Sequence, residues 1–224
     1  LLDNRERGLA RAQVRLEGTQ QALAQCGENY ELEHIREAYR ACYRRCREIR
    51  EELLDVSFPE QVDIFIDNIE AGLAERLEEE TILEIGRVYA DSFFIHPPVP
   101  HADAATVLRD LKAMGLLIGL ISNTGMTPGE AFRRFLDQRK LLHYFDALTF
   151  SDEVKISKPS DSIFLMTLDS LGTKPEQAVH VGDHVQNDVV GANRCGLKTV
   201  WITGFYENED PSNPDTKPDA TVGE

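Results

Sequence analysis

Three short stretches of the 224-residue sequence carry side chains suited to chemistry. Residues 179–188 read VHVGDHVQND, so Asp183 follows a glycine at the end of an apolar run and Asp188 comes five residues later. Two carboxylates at the end of a buried strand are costly unless something positive sits on them. Paired carboxylates are hard oxygen ligands, and Mg²⁺ is the cation that one or two of them hold beside a phosphate. For Asp188 the plain alternative is a charge that stabilises a helix N-terminus. The apolar run LLIGLI ends in Ser122-Asn123-Thr124-Gly125, a hydroxyl and backbone N–H groups in a tight turn, which suits phosphate oxygens. Lys158-Pro159 follows a third apolar run, and a lysine fixed by a proline at a helix start makes a point-charge contact to a phosphate. Taken singly, the first is a Ser/Asn turn and the second a surface lysine. Their shared position after apolar runs points to a phosphate site with a cation.

The elements that must position these residues come in two kinds. The first hundred residues read as helices only. Leu2, Leu9, Leu16 and Leu23 recur every seven residues, and Gly27 is a stop. Ile35, Tyr39, Cys42, Cys46, Ile49 and Leu53 step by four and three, an amphipathic stripe. Pro59 opens a third helix with inner face Val62, Phe65, Ile66, Ile69 and Leu73, and a fourth runs from near Thr81 to Pro97-Pro98. This predicts an antiparallel helical bundle over 1–98. After Pro100 helices alternate with short apolar strands: helices near 101–114, 128–138, 160–171 and 187–196, and strands at 116–121, 147–150, 178–182 and 198–202. That alternation predicts, over 99–224, a Rossmann-like α/β domain whose parallel sheet has helices on both faces. A Pro-, Asn- and Asp-rich loop from Gly204 to Asp219 leads to a last short strand, ATV. In such a sheet ligands bind outside the carboxyl ends of the strands, where all three stretches fall.

Composition narrows the partners. A net charge of −15 disfavours a nucleic acid backbone or an anionic membrane surface. The longest apolar runs are far shorter than the roughly 20 residues that cross a bilayer. No secretory signal opens the sequence, and the four cysteines contain no CxxC pair, so reduced thiols in a cytoplasm are expected. Cys42 and Cys46 would share a helix face with His34 upstream, which admits a metal site or a buried apolar stripe; the stripe is the expectation. From Glu31 to Asp55 seven acids offset six arginines, so RACYRRCREIR is read as a solvated mixed-charge face.

The order Ser122-Asn123, then Lys158-Pro159, then Gly-Asp-x-x-x-Asn-Asp resembles the haloacid dehalogenase-like hydrolases over roughly residues 100–203. The last stretch, GDHVQNDVVGANRCGLKTVWI, matches through Asn187, Asp188, Gly191, Ala192 and Gly196. The resemblance makes the helical bundle an inserted cap. It places Ser122 and Asn123 in the family's second motif, Lys158 in the third, and Asp183 with Asp188 in the fourth. Lys155 stands where the family often has glycine before that lysine, and Asp161 where it has proline.

The resemblance implies an Mg²⁺-dependent phosphomonoester hydrolase acting on a small phosphorylated metabolite through an aspartyl-phosphate. Ser122 and Lys158 would be catalytic, Ser122, Asn123 and Lys158 would bind the substrate, Asp183 and Asp188 would hold the metal, and the protein would be a monomer or homodimer. The family's first motif, Asp-x-Asp-x-Thr, does not occur in these residues: Asp3 is followed at +2 by Arg5, Asp67 by Ile69, and Asp103 lacks the second acid. LLDN at the start is similar to the residues that come directly after that motif in the family. The sequence is therefore expected to begin just after the nucleophile and to lack the central strand that bears it. A non-catalytic phosphate- or partner-binding protein, a phosphosugar mutase and a 2-haloacid dehalogenase stay open. Phosphonate hydrolysis through a cap lysine does not, since no lysine precedes Lys112.

Overall fold

The computed structural model describes residues 5–204 and 216–223. Leu2, Asp3 and most of the loop expected between Gly204 and Asp219 lie outside the described residues. The leading half is helical: α1 (Arg5–Gln25), α2 (Leu32–Glu51), α3 (Phe58–Ile69), a short α4 (Leu73–Arg76) and α5 (Glu79–Ile95). The predicted stripes make its core. Leu16, Leu23, Ile35, Cys42, Cys46, Val62, Phe65, Ile66, Ile69, Leu73, Ile85 and Tyr89 are all buried in one cluster. Leu9 departs from its heptad and is 61% exposed. Arg11 and Arg15 take the inward face there instead.

Local chemistry sets the helix ends. Ser57 and Glu60 form a capping box at the start of α3: Ser57 N–H donates to Glu60 Oε2 at 2.8 Å, and the Glu60 N–H returns to Ser57 Oγ. Leu73, expected on α3, lies one element later because Gly72 turns the chain at φ 75°. Leu53, the last member of the α2 stripe, falls past the helix end at φ 61° and is half-exposed.

The trailing half alternates as expected: α6 (Ala104–Ala113), β1 (Gly119–Ser122), α7 (Gly129–Gln138), β2 (Ala147–Phe150), α8 (Ser151–Val154), α9 (Asp161–Ser170), β3 (Val179–Gly182), a π-helical turn over Val185–Val190, α10 (Gly191–Arg194), β4 (Lys198–Ile202) and β5 (Ala220–Val222). Every strand pair is parallel. Among the described residues the expected single sheet is instead two ladders, β1–β2 and β3–β4–β5. β1 starts three residues later than the apolar run because its partner β2 starts at Ala147, opposite Gly119. Leu116 and Leu117 consequently stay exposed.

Helices cover both faces of β1–β2. Leu120 and Leu148 pack with Ala131, Phe135 and Leu136, while Ile121 packs with Ile163, Phe164 and Leu168. The same expectation fails for β3, where Val179 and Val181 are 59% and 55% exposed. The bundle meets the α/β half along the segment after α2. Leu54 and Ile156 form an antiparallel bridge, Asp55 N–H donates to Lys155 O, and Ser157 N–H donates to Leu53 O.

Candidate active site

Each strand that ends at the site supplies one part of it. At the end of β1 the side chain of Asn123 grips the backbone of Lys158 on both sides. Its Oδ1 accepts from Lys158 N–H at 2.8 Å and its Nδ2 donates to Lys158 O at 3.0 Å. The sequence predicts a substrate contact for Asn123; its amide is instead occupied in placing the lysine. Lys158 then extends its ammonium to Asp188 Oδ1 at 2.6 Å, with side-chain exposures of only 12% and 4% for the pair.

Asp188 is engaged on both oxygens. His180 Nε2, from β3, lies 3.1 Å from Oδ1, and His184 N–H donates to Oδ2 at 3.0 Å. Burial alone would push this carboxyl up. The His180 hydrogen bond and the Lys158 charge overcome that and hold it well below the ordinary carboxylate range. The carboxyl sits so close to β3 that a Cβ at Gly182 would collide with it. A Cβ at Gly191 would likewise strike the Phe164 ring. These two glycines are required by close approach.

Two groups at the same strand ends are left open. Ser122 Oγ makes only a 3.5 Å contact with Asn123 O. The Asp183 carboxylate has no hydrogen bond or ion pair among the described residues, while its carbonyl is fixed by Trp201 Nε1, which donates at 3.1 Å. Of the backbone donors expected after β1, Thr124 N–H is taken by Ser151 Oγ at 3.0 Å.

The donor set bears on the metal. A hard cation that keeps several waters needs one or two protein carboxylates, and Asp183 meets that requirement. Both Asp188 oxygens already accept hydrogen bonds, and among the described residues no group of three or more His, Cys, Asp or Glu is arranged to hold a metal. Cys42 and Cys46 are both buried, and His34 Nε2 lies 2.7 Å from Ile69 O, so the apolar-stripe expectation holds there.

Sequence reasoning missed His180, Trp201 and Ser151. His180 did leave a signal, as the one polar side chain inside the apolar run AVHVG. The others left none, because a tryptophan on a strand and a serine after one are ordinary.

Comparison with known proteins gives the family and the fold. A family model described as haloacid dehalogenase-like hydrolase matches residues 7–196. The chain is 32% identical over 183 residues to a glyceraldehyde 3-phosphate phosphatase of Methanopyrus kandleri, covering 80% of this chain and 74% of that protein. It is 34% identical to a phosphoserine phosphatase of Thermus thermophilus, over 67% of this chain and 61% of that one. Among solved structures, a HAD phosphatase from Thermococcus onnurineus superposes with a TM-score of 0.57 at 23% identity, covering 95% of this chain and 86% of that one. A 2-haloacid dehalogenase from Pseudomonas syringae pv. Tomato gives 0.64 at 21%, covering 99% and 89%. At those identities the two structures speak for the fold.

Proposed function

The chain belongs to the haloacid dehalogenase-like hydrolases, and on that premise we propose that it hydrolyses phosphate monoesters of small metabolites in a reducing cytoplasm. The observation that carries the proposal is the placement of Lys158. Its backbone is clamped by Asn123 and its ammonium is held nearly buried against Asp188, at the carboxyl ends of parallel strands. Two related proteins named as phosphatases point the same way. The phosphoryl oxygens would be met by Lys158 and by the Ser122 hydroxyl, which neutralise and orient them. Asp188, itself bonded by His180, aims the lysine. Asp183 would hold Mg²⁺ in company with ligands from outside the described residues. When bound, that ion would neutralise phosphoryl charge and orient the ester. Residues 1–98 would act as a cap that excludes water and selects the substrate over a core of 99–224.

No residue within 1–224 fits the nucleophile's motif, so the aspartyl-phosphate chemistry would draw its aspartate from elsewhere in the whole protein. The same gap leaves one second reading, a protein that binds phosphate without turning it over. An assay separates them. In the whole protein with Mg²⁺ and a generic aryl phosphate, Asp183→Asn and Lys158→Ala should each cut turnover by at least about a hundredfold, roughly 2.7 kcal/mol of transition-state stabilisation. Turnover that survives either change unaltered overturns the assignment of that residue, and a whole protein that binds phosphate but never releases it from an ester establishes the second reading.

A further inference from the structure

The segment 124–127, which continues the turn bearing Ser122 and Asn123, is held by the helical bundle from several directions. Met126 is only 8% exposed and packs in the apolar core of the bundle rather than in that of the sheet. Arg50, in the last turn of α2, donates from Nη2 to Gly125 O at 2.7 Å. Arg15, buried on α1, donates from Nη2 to Thr127 Oγ1 at 3.1 Å. Thr124 N–H donates to Ser151 Oγ at 3.0 Å, and the Ser151 hydroxyl donates in turn to Asp55 Oδ2 at 2.6 Å.

Asp55 closes the ring. Its side chain has no exposed surface, and Arg50 Nε donates to its Oδ1 at 3.0 Å. Val56 N–H donates to the same oxygen at 2.9 Å. Asp55, Arg50, Gly125, Thr124 and Ser151 thus form one circuit across the seam between bundle and sheet, in which Asp55, Thr124 and Ser151 are buried. From Thr124 the chain leads directly to Asn123, whose amide sets the backbone of Lys158.

We propose that Asp55, acting through Arg50 and Ser151, is a positioning residue that ties the phosphate-gripping turn to the helical bundle, so that the bundle sets where Ser122, Asn123 and Lys158 stand. A bundle that moves off the sheet must break the hydrogen bonds from Arg50 to Gly125 O and from Ser151 to Asp55, or carry the turn with it. Asp55 and Ser151 are both buried, so breaking their hydrogen bond leaves a carboxylate and a hydroxyl with little water to replace the contact. The inference rests on the phosphate site proposed above.

The test is a titration of the whole protein with inorganic phosphate, read at the backbone amide resonances of Ser122, Asn123 and Lys158, with melting followed in parallel. Ser151→Ala should shift the Ser122 and Asn123 resonances before any phosphate is added and weaken phosphate binding about tenfold, at a temperature where the variant is fully folded. Asp55→Asn should do the same, and should it fail to fold, Ser151→Ala, which removes one hydroxyl, carries the test. Wild-type binding that is saturable and lost in Lys158→Ala, joined to unchanged affinity in Ser151→Ala, overturns the coupling while leaving the site intact. Wild-type chain that binds no phosphate overturns the site and the coupling with it. A lower melting temperature with wild-type resonances and affinity would mark the circuit as a fold support alone and would also overturn the proposal.

Discussion

Lys158 and Asp188 show how one contact can serve both charge placement and stability. Both side chains are nearly buried, and each is the other's charged partner at 2.6 Å. Removing one member of such a pair leaves an uncompensated charge, which costs about 3–5 kcal/mol, whereas replacing both is often far milder. Urea unfolding of Lys158→Met, Asp188→Asn and the double variant should therefore give a double-variant cost well below the sum of the singles. Additive costs would mean that the two side chains do not rely on each other. Residue types and spacing singled out Lys158, Asn123 and Asp188, which hydrogen bonds bring together. They could not reveal that Asn123 and Asp188 serve the lysine, because a side-chain amide and a carboxylate look the same in sequence whether they face a ligand or a neighbour.

At the scale of elements, the start of α3 links local capping to the seam between the halves. Glu60 accepts from the ammonium of Lys155 at 2.8 Å as well as from Ser57. The Lys155 hydrogen bond first, then the Ser57 bonds, lower its carboxyl from the ordinary 4.5 to about 2. A depressed carboxylate contributes stability that is fully present above its unfolded value and is lost as pH falls through the folded one. The gap in melting temperature between the wild type and Glu60→Gln should therefore narrow as pH drops from about 4.5 to about 2. The pair is about half-exposed, so water and salt screen it, and an effect of about 0.5–1 kcal/mol at neutral pH is the scale to expect. A gap that stays constant with pH would show that Glu60 acts only as a cap through its shape. Lys155 itself sits at φ 57°, where a glycine would be unstrained, so its side chain compensates a backbone conformation through Glu60. Helix stripes and strand runs are legible to within a few residues of their observed ends, because burial periodicity decides them. The missed ends, Leu53 past α2 and Leu116 before β1, depend on where a partner strand starts or a chain turns. Pattern alone does not carry that.

For the whole molecule, the open question is why a parallel sheet stands as two ladders. Among the described residues β1 pairs with β2 alone, and β3 pairs with β4 alone, so each keeps one edge without a partner. Lys158, held by Asn123 after β1 and by Asp188 beside β3, links the two ladders at their ends. The surroundings have the character of an unfinished interior: Val179 and Val181 are exposed, and α6, with its Val107, Leu108 and Leu111, buries none of its residues. Parallel strands ordinarily have partners on both edges and cover on both faces. One further parallel strand, set between β1 and β3, would satisfy both edges. A longer chain that supplies such a strand, ending in an Asp-x-Asp-x-Thr turn, should unfold at markedly higher urea than residues 1–224. It should also slow hydrogen exchange at the amides of Gly119–Ser122 and Val179–Gly182 that do not already face β2 or β4. Mg²⁺-dependent ester hydrolysis should appear in that longer chain together with the protection. Equal exchange at those amides in both chains would mean that the ladders are complete as they stand and that the nucleophile, if there is one, enters by another route.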